Sequence, residues 1–194
     1  MKKPEQRIDF TFVIPNTRWH KHGEGRYWNH IPYPEGILTA VLRKNGYTVN
    51  HIDANTENFT EEGLLQILKE KVGKVVGISA LSVEYRDSVH RTFAIIKKAN
   101  PNVKTIIGGV YPSISPDVAK EDENIDYLVV SEGEERLLKL MDAIKSKTGF
   151  KHIDGLHYRD DKRVWHYNPR KTIGNVKNLD DLPFPDYSDY NTKK

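Results

Sequence analysis

Residues 106–116 read IIGGVYPSISP. A short apolar run, Ile106-Ile107, stops on two consecutive glycines, Gly108 and Gly109, and is followed by Val110, Tyr111, Pro112 and serines at 113 and 115. One glycine is enough to turn a chain. Two remove side chains from a patch of backbone, which suits the close approach of something large and flat. The run ahead of the pair has the near-continuous apolar character of a strand buried on both faces.

Outward from this stretch, similar short runs lie at 8–14, 49–53, 75–79, 103–107 and 127–130. Helical stripes separate them. Ile37, Leu38, Val41 and Leu42 form one, closed by Gly46 as a C-terminal cap. Leu64, Leu65 and Leu68 form the next, then Val89, Phe93 and Ile96, ended by Asn100-Pro101. Ser115-Pro116 suits the start of a short helix, and Leu137, Leu138, Met141 and Ile144 mark the last one. Alternation of this kind predicts an α/β fold: a doubly wound, flavodoxin-like (Rossmann-like) five-stranded parallel sheet of order 2-1-3-4-5. Ligands of such sheets bind at the carboxyl ends of the strands, beside the switch point between strands 1 and 3.

The pattern changes after Gly149. Residues 153–158 and 164–167 flank a charged turn and read as a β-hairpin, and the Asp-, Pro- and Tyr-rich stretch beyond reads as an arm. The expected division is a binding domain at 1–149 and a hairpin with linker at 150–194. From Leu179 onward the arm is expected to be poorly ordered or packed on a neighbouring chain. Between the first strand and the first helix lie about 18 residues, long for such a connection. They carry Trp19, His20, His22, Tyr27, Trp28, His30 and Tyr33, which could cover a ligand or form a small core of their own.

Composition excludes several classes. Thirty basic residues stand against 27 acidic ones, a net charge of +3 with no basic block, which argues against nucleic acid. The chain has no cysteine, so disulfides, Cys nucleophiles and Cys-ligated iron–sulfur clusters are excluded for it. No apolar run reaches membrane-spanning length and the N-terminus lacks a signal-peptide pattern, so a cytoplasmic protein is expected.

Common occupants of the fold also fail. The nearest approach to a dinucleotide fingerprint, GEGRYW at 23–28, lies far from the first strand and puts Trp28 at the third glycine position. There is no P-loop and no G-x-S-x-G elbow. What remains is a strand edge built of small residues and hydroxyls: Ser79, Ala80, Leu81 and Ser82, the glycine pair, and Ser131 to Glu134.

At these positions the sequence resembles a known family. Ser79-x-Leu81 followed by Gly108-Gly109 resembles the S-x-L…G-G signature of cobalamin-binding domains. The segments at 33–54, 76–79, 108–116, 126–140, 153–159 and 179–187 resemble, in order, the N-terminal part of cobalamin-dependent radical S-adenosylmethionine enzymes. The resemblance implies that the chain binds cobalamin, with the glycine pair admitting its nucleotide tail and the Ser79 hydroxyl bonding it. It implies cofactor contacts from Pro15, Asn16, Trp19, Tyr33, Gly36, Ser79, Ala80, Leu81, Gly108, Gly109, Val110, Tyr111, Ser131, Glu132, Gly133 and Glu134, and no catalytic residue. Ser131 and Glu134 also have capping-box spacing for the last helix.

Many cobalamin domains outside that family ligate cobalt with the His of D-x-H-x-x-G. Here RWHKHG keeps His20 and Gly23 but has Arg18 at the Asp position, and Arg cannot accept the imidazole proton. A cofactor with no His20 bond, covered by Trp19, Tyr27 or Trp28, is therefore expected. The family holds its [4Fe–4S] cluster and S-adenosylmethionine in a Cys-containing catalytic domain. With no Cys here, that radical domain is expected downstream in cis or on a separate chain, for methyl or other alkyl transfer. A stand-alone corrinoid carrier or sensor, and a flavodoxin-like binder of another nucleotide, are the alternatives.

Overall fold

The computed structural model describes residues 8–19, 32–171 and 179–190. Strands β1 (Phe10–Ile14), β2 (Val49–Asp53), β3 (Val75–Ser79), β4 (Lys104–Gly108) and β5 (Tyr127–Val129) pair in parallel in the order β2-β1-β3-β4-β5. This is the predicted order, but the sheet does not stop there. The hairpin β6 (Leu156–Arg159) and β7 (Trp165–Tyr167) joins it antiparallel to β5, making seven strands in one sheet. The reason is the free edge of β5, which would otherwise present unpaired backbone groups. The β6 strand covers it through Leu128↔His157, and Leu156 is fully buried.

Alternation along the strands divides the core into two layers. Phe10, Phe12, Val75, Ile106, Tyr127 and Val129 pack with α1 (Tyr33–Lys44) and α6 (Glu134–Ser146). Val13, Val76, Ile78, Ile107 and Leu128 pack with α2 (Glu61–Lys71) and α3 (Arg86–Ala99). The short α4 (Val110–Ile114) and α5 (Pro116–Lys120) bring Tyr111 and Ala119 into this second layer. Gly46 ends α1 as expected: its φ of 82° is left-handed, and Tyr47 N–H donates to the Leu42 carbonyl.

One side chain that resembles an ordinary surface residue is central. Arg136 of α6 has 0% exposure. It donates to the Asp154 carboxylate and carbonyl at 2.8 Å each and to the Glu132 carbonyl at 2.8 Å. The start of the hairpin is thereby tied to the β5–α6 loop, and Gly155, with φ 67°, leaves room for the guanidinium.

The end of the arm departs from expectation, because it packs on its own domain. Asp186 N–H donates to the Gly36 carbonyl at 2.9 Å. Arg43 bridges Asp186 at 2.7 Å and Asp189 at 2.5 Å, and Asp189 also meets His51 Nδ1 at 3.0 Å. The Tyr187 ring fills the space left by the missing side chain of Gly36. Polar groups left on α1 and β2 thus find partners in the arm, which explains why it does not wait for another chain.

Beside this contact Glu35 is 4% exposed, and one of its carboxyl oxygens has no hydrogen-bond partner among the described residues. Burial, reinforced by Asp53, pushes its pKa from 4.5 to about 7. The folded state therefore favours the neutral acid. That contribution is fully present below pH 4.5 and is lost as pH rises through about 7. Glu35→Gln should flatten the fall in stability between these pH values, which in the wild type should be on the order of 3 kcal/mol. Denaturant unfolding across pH checks this; an equal slope in the variant contradicts it.

Candidate functional site

A cavity of about 430 Å³ opens at the carboxyl ends of the strands, on the α1/α6 side. Its origin lies in the two-residue period of the central strands. On that face β3 presents Val75, Gly77 and Ser79, and β4 presents Ile106 and Gly108. On these two strands bulky residues fill the lower half of the face and nothing larger than a hydroxymethyl group stands on the upper half. Phe10 closes the floor, with its ring where a Gly77 side chain would stand. Tyr33, Pro34, Ile37 and Leu38 of α1 form one wall, and Val129, the 131–134 loop and Leu137 the other. Leu81, Val110 and Ser113 stand at the mouth.

The two glycines of the pair do different things. Gly109 has φ 95°, and a β-carbon on it would lie 2.7 Å from the Ala80 carbonyl oxygen. Around it Ala80 N–H donates to the Gly108 carbonyl at 2.8 Å, and Tyr111 N–H to the Ala80 carbonyl at 2.9 Å. Gly109 is therefore needed for the β4–α4 turn itself. Gly108 has no such neighbour: its absent side chain would meet nothing closer than Val129 O at 3.7 Å. Of the two, Gly108 is the residue that keeps the cavity open.

Among the sequence-predicted residues, Tyr33, Ser79, Leu81, Gly108, Gly109, Val110, Ser131, Glu132, Gly133 and Glu134 line the cavity. No hydrogen bond among the described residues uses the Ser79 hydroxyl, and one Glu134 carboxyl oxygen is buried without a partner there. The others lie elsewhere. Ala80 is buried in the backbone link just described. Tyr111 is fully buried beneath the turn and its hydroxyl meets His90 Nε2 at 2.8 Å, while His90 Nδ1 meets Asp122 at 2.7 Å. Gly36 holds the arm. Pro15 is buried, Asn16 donates to Asn58 and to the Phe59 carbonyl at 3.1 Å each, and Trp19 Nε1 donates to the Phe59 carbonyl at 3.2 Å. The described start of the long loop thus packs as a small core against the β2–α2 connection. His20, Tyr27 and Trp28 lie outside the described residues.

The capping box does not form. Gly133 is the N-cap of α6, with no side-chain cap bond. Ser131 instead has φ 71°, and its N–H donates to Ser113 Oγ at 2.9 Å. Residues missed in the sequence are Gly77, Ser113 and the floor and wall side chains Phe10, Phe12, Ile37 and Leu38. A glycine inside the strand VVGIS was the available signal for the first.

The family model of the B12 binding domain matches residues 30–141. The chain belongs to the B12-binding domain family. This B12-binding domain is 25% identical to cytidylyl-2-hydroxyethylphosphonate methyltransferase of Streptomyces wedmorensis, over 99% of this chain and 42% of the relative. It is 31% identical to an uncharacterized methyltransferase of Pyrococcus horikoshii, over 80% of this chain and 33% of that one. In fold it is similar to the radical S-adenosylmethionine methyltransferase TsrM of Kitasatospora setae, solved with cobalamin and a [4Fe-4S] cluster, at TM-score 0.70 and 18% identity over 94% of this chain and 32% of that one. The cobalamin-dependent S-adenosylmethionine radical enzyme OxsB with aqua-cobalamin bound superposes at TM-score 0.72 and 21% identity over 93% of this chain and 24% of that one. The chain thus spans less than half the length of these relatives. No helix among the described residues is long and apolar enough to cross a membrane.

The two glycines should separate in a stability measurement. Gly109→Ala forces a β-carbon into the Ala80 backbone at a left-handed φ and should cost about 2 kcal/mol or more. Gly108→Ala meets only ordinary contacts and should change stability by less than about 1 kcal/mol. Urea midpoints of the two variants decide it; equal losses contradict the division of roles.

Proposed function

We propose that this domain binds cobalamin with the nucleotide tail in the cavity, as the cofactor module of a cobalamin-dependent radical S-adenosylmethionine methyltransferase. The observation that carries the reading is the open space beside Gly108 and the small Ser79, a slot at the strand ends whose floor is the Phe10 ring packed under Gly77. The fit is supported by chemistry as well as volume. The slot is walled by aliphatic side chains suited to an aromatic base, and the Ser79 hydroxyl and the Glu134 carboxyl are polar groups with bonding capacity left over. Around the mouth Tyr33, Leu81 and Val110 are 59%, 43% and 50% exposed, a largely apolar rim for the corrin face.

When bound, cobalamin supplies the cobalt centre that carries a methyl or alkyl group. This chain's residues hold and orient it: Gly108 admits the tail, Phe10 packed under Gly77 closes the floor beneath it, Ser79 bonds it, and the α1 and α6 walls exclude water from it. The iron–sulfur cluster and S-adenosylmethionine belong to a partner radical domain, in cis or on another chain, since this sequence has no Cys to hold a cluster. Hydrolysis or transfer chemistry from this chain alone is not part of the reading.

Titration of the protein with hydroxocobalamin, FMN and FAD tests it. Hydroxocobalamin should bind and the flavins should not. Gly108→Leu should fill the slot and weaken binding by at least about tenfold with an unchanged circular dichroism spectrum. Preference for a flavin, or undiminished cobalamin binding by Gly108→Leu, contradicts the assignment.

A further inference from the structure

Two neighbouring loops, after the adjacent strands β4 and β5, border the cavity on the side away from α1: the β4–α4 turn at Gly108-Gly109 and the β5–α6 loop at 131–134. They are joined by one hydroxyl. Ser113 Oγ, on α4, donates to the Gly109 carbonyl at 2.7 Å and accepts from Ser131 N–H at 2.9 Å. The accepting end matters most, because Ser131 is held at φ 71°, a conformation that costs a residue with a side chain free energy. Behind the loop the Arg136 guanidinium holds the Glu132 carbonyl. The rim is therefore fixed at two adjacent points, one buried in the domain and one at the cavity.

We propose that Ser113 is a positioning residue that fixes one side of the cavity mouth by pinning the Ser131–Glu134 rim to the glycine turn, and that cofactor affinity depends on this pin. The inference rests on the cobalamin reading for its ligand, but the pin itself is a property of the empty domain. Ser113 acts through backbone atoms on both rims. Its loss frees the Ser131 amide on the cavity side while Arg136 still anchors the rear, so the rim loosens without the domain unfolding. Threonine can replace it, since its Oγ1 reaches the same carbonyl four residues back along a helix and leaves a lone pair for the amide.

The test compares wild type, Ser113→Ala and Ser113→Thr by amide hydrogen exchange and by hydroxocobalamin titration. In Ser113→Ala the Ser131 amide should exchange at least about tenfold faster, with β3 and β4 amides unchanged, and hydroxocobalamin should bind about tenfold more weakly. Ser113→Thr should restore both. Unchanged exchange at Ser131, an affinity unaffected by Ser113→Ala, or a Thr variant as impaired as the Ala variant overturns the proposal. If wild type fails to bind hydroxocobalamin, the cobalamin reading falls and takes the affinity role of Ser113 with it, while the exchange comparison still decides whether Ser113 pins the rims.

Discussion

The missing side chains on one face of two neighbouring strands constrain everything around them. A parallel sheet covered on both faces has no reason to leave half of its central strands bare, since each large apolar side chain buried there would add roughly 1.5–3 kcal/mol. Here β3 and β4 present Gly77, Ser79 and Gly108 at that level. The surroundings compensate: Phe10 slides its ring beneath Gly77, and Leu38 of α1 meets Gly133 at the head of α6. The two helices therefore touch each other above a slot that neither fills. The fold thus gives up burial at one level of its core, at the edge where such sheets bind ligands.

The rim of the slot is held by the glycine turn and by polar contacts of two residues, Ser113 and Arg136, that look unremarkable in sequence. Gly109 lets the turn pass within contact of Ala80, Ser113 joins the turn to Ser131, and Arg136 joins Glu132 to Asp154. These contacts form a chain from β3 across β4 and β5 to the hairpin. The antiparallel strands are part of it, because Gly155 and Asp154 precede β6 and receive the Arg136 guanidinium. What reads as an appendage after Gly149 is thus a buttress of the binding edge.

The parallel sheet, its order and the four long helices were legible because stripe periodicity and glycine punctuation are local signals. So was the edge at which the cavity lies, since small residues cluster at consecutive strand ends. The remainder depended on partners distant in sequence. Arg136 sits in EERLLKL, where charge suggests solvent, and the Asp154 carboxylate with the carbonyls of Asp154 and Glu132 make its burial tolerable. Ser131 and Glu134 have capping-box spacing, yet the Ser131 amide is drawn to Ser113, 18 residues earlier, and the backbone turns left-handed instead. Gly36 looks like a ligand-facing glycine, but Tyr187 occupies its open side. Asn16 and Trp19 look available for a cofactor, but their polar atoms are spent on the β2–α2 connection.

The slot beside Gly108, floored by Phe10, is proposed to receive the nucleotide tail of cobalamin. A crystal structure of the protein soaked with hydroxocobalamin tests it most directly. The account predicts density for the base between β3, β4 and the α1/α6 walls, within hydrogen-bond reach of the Ser79 hydroxyl, and the corrin ring over Leu81 and Val110. A cofactor bound elsewhere on the domain, or a tail lying outside the slot with the cavity empty, would contradict it.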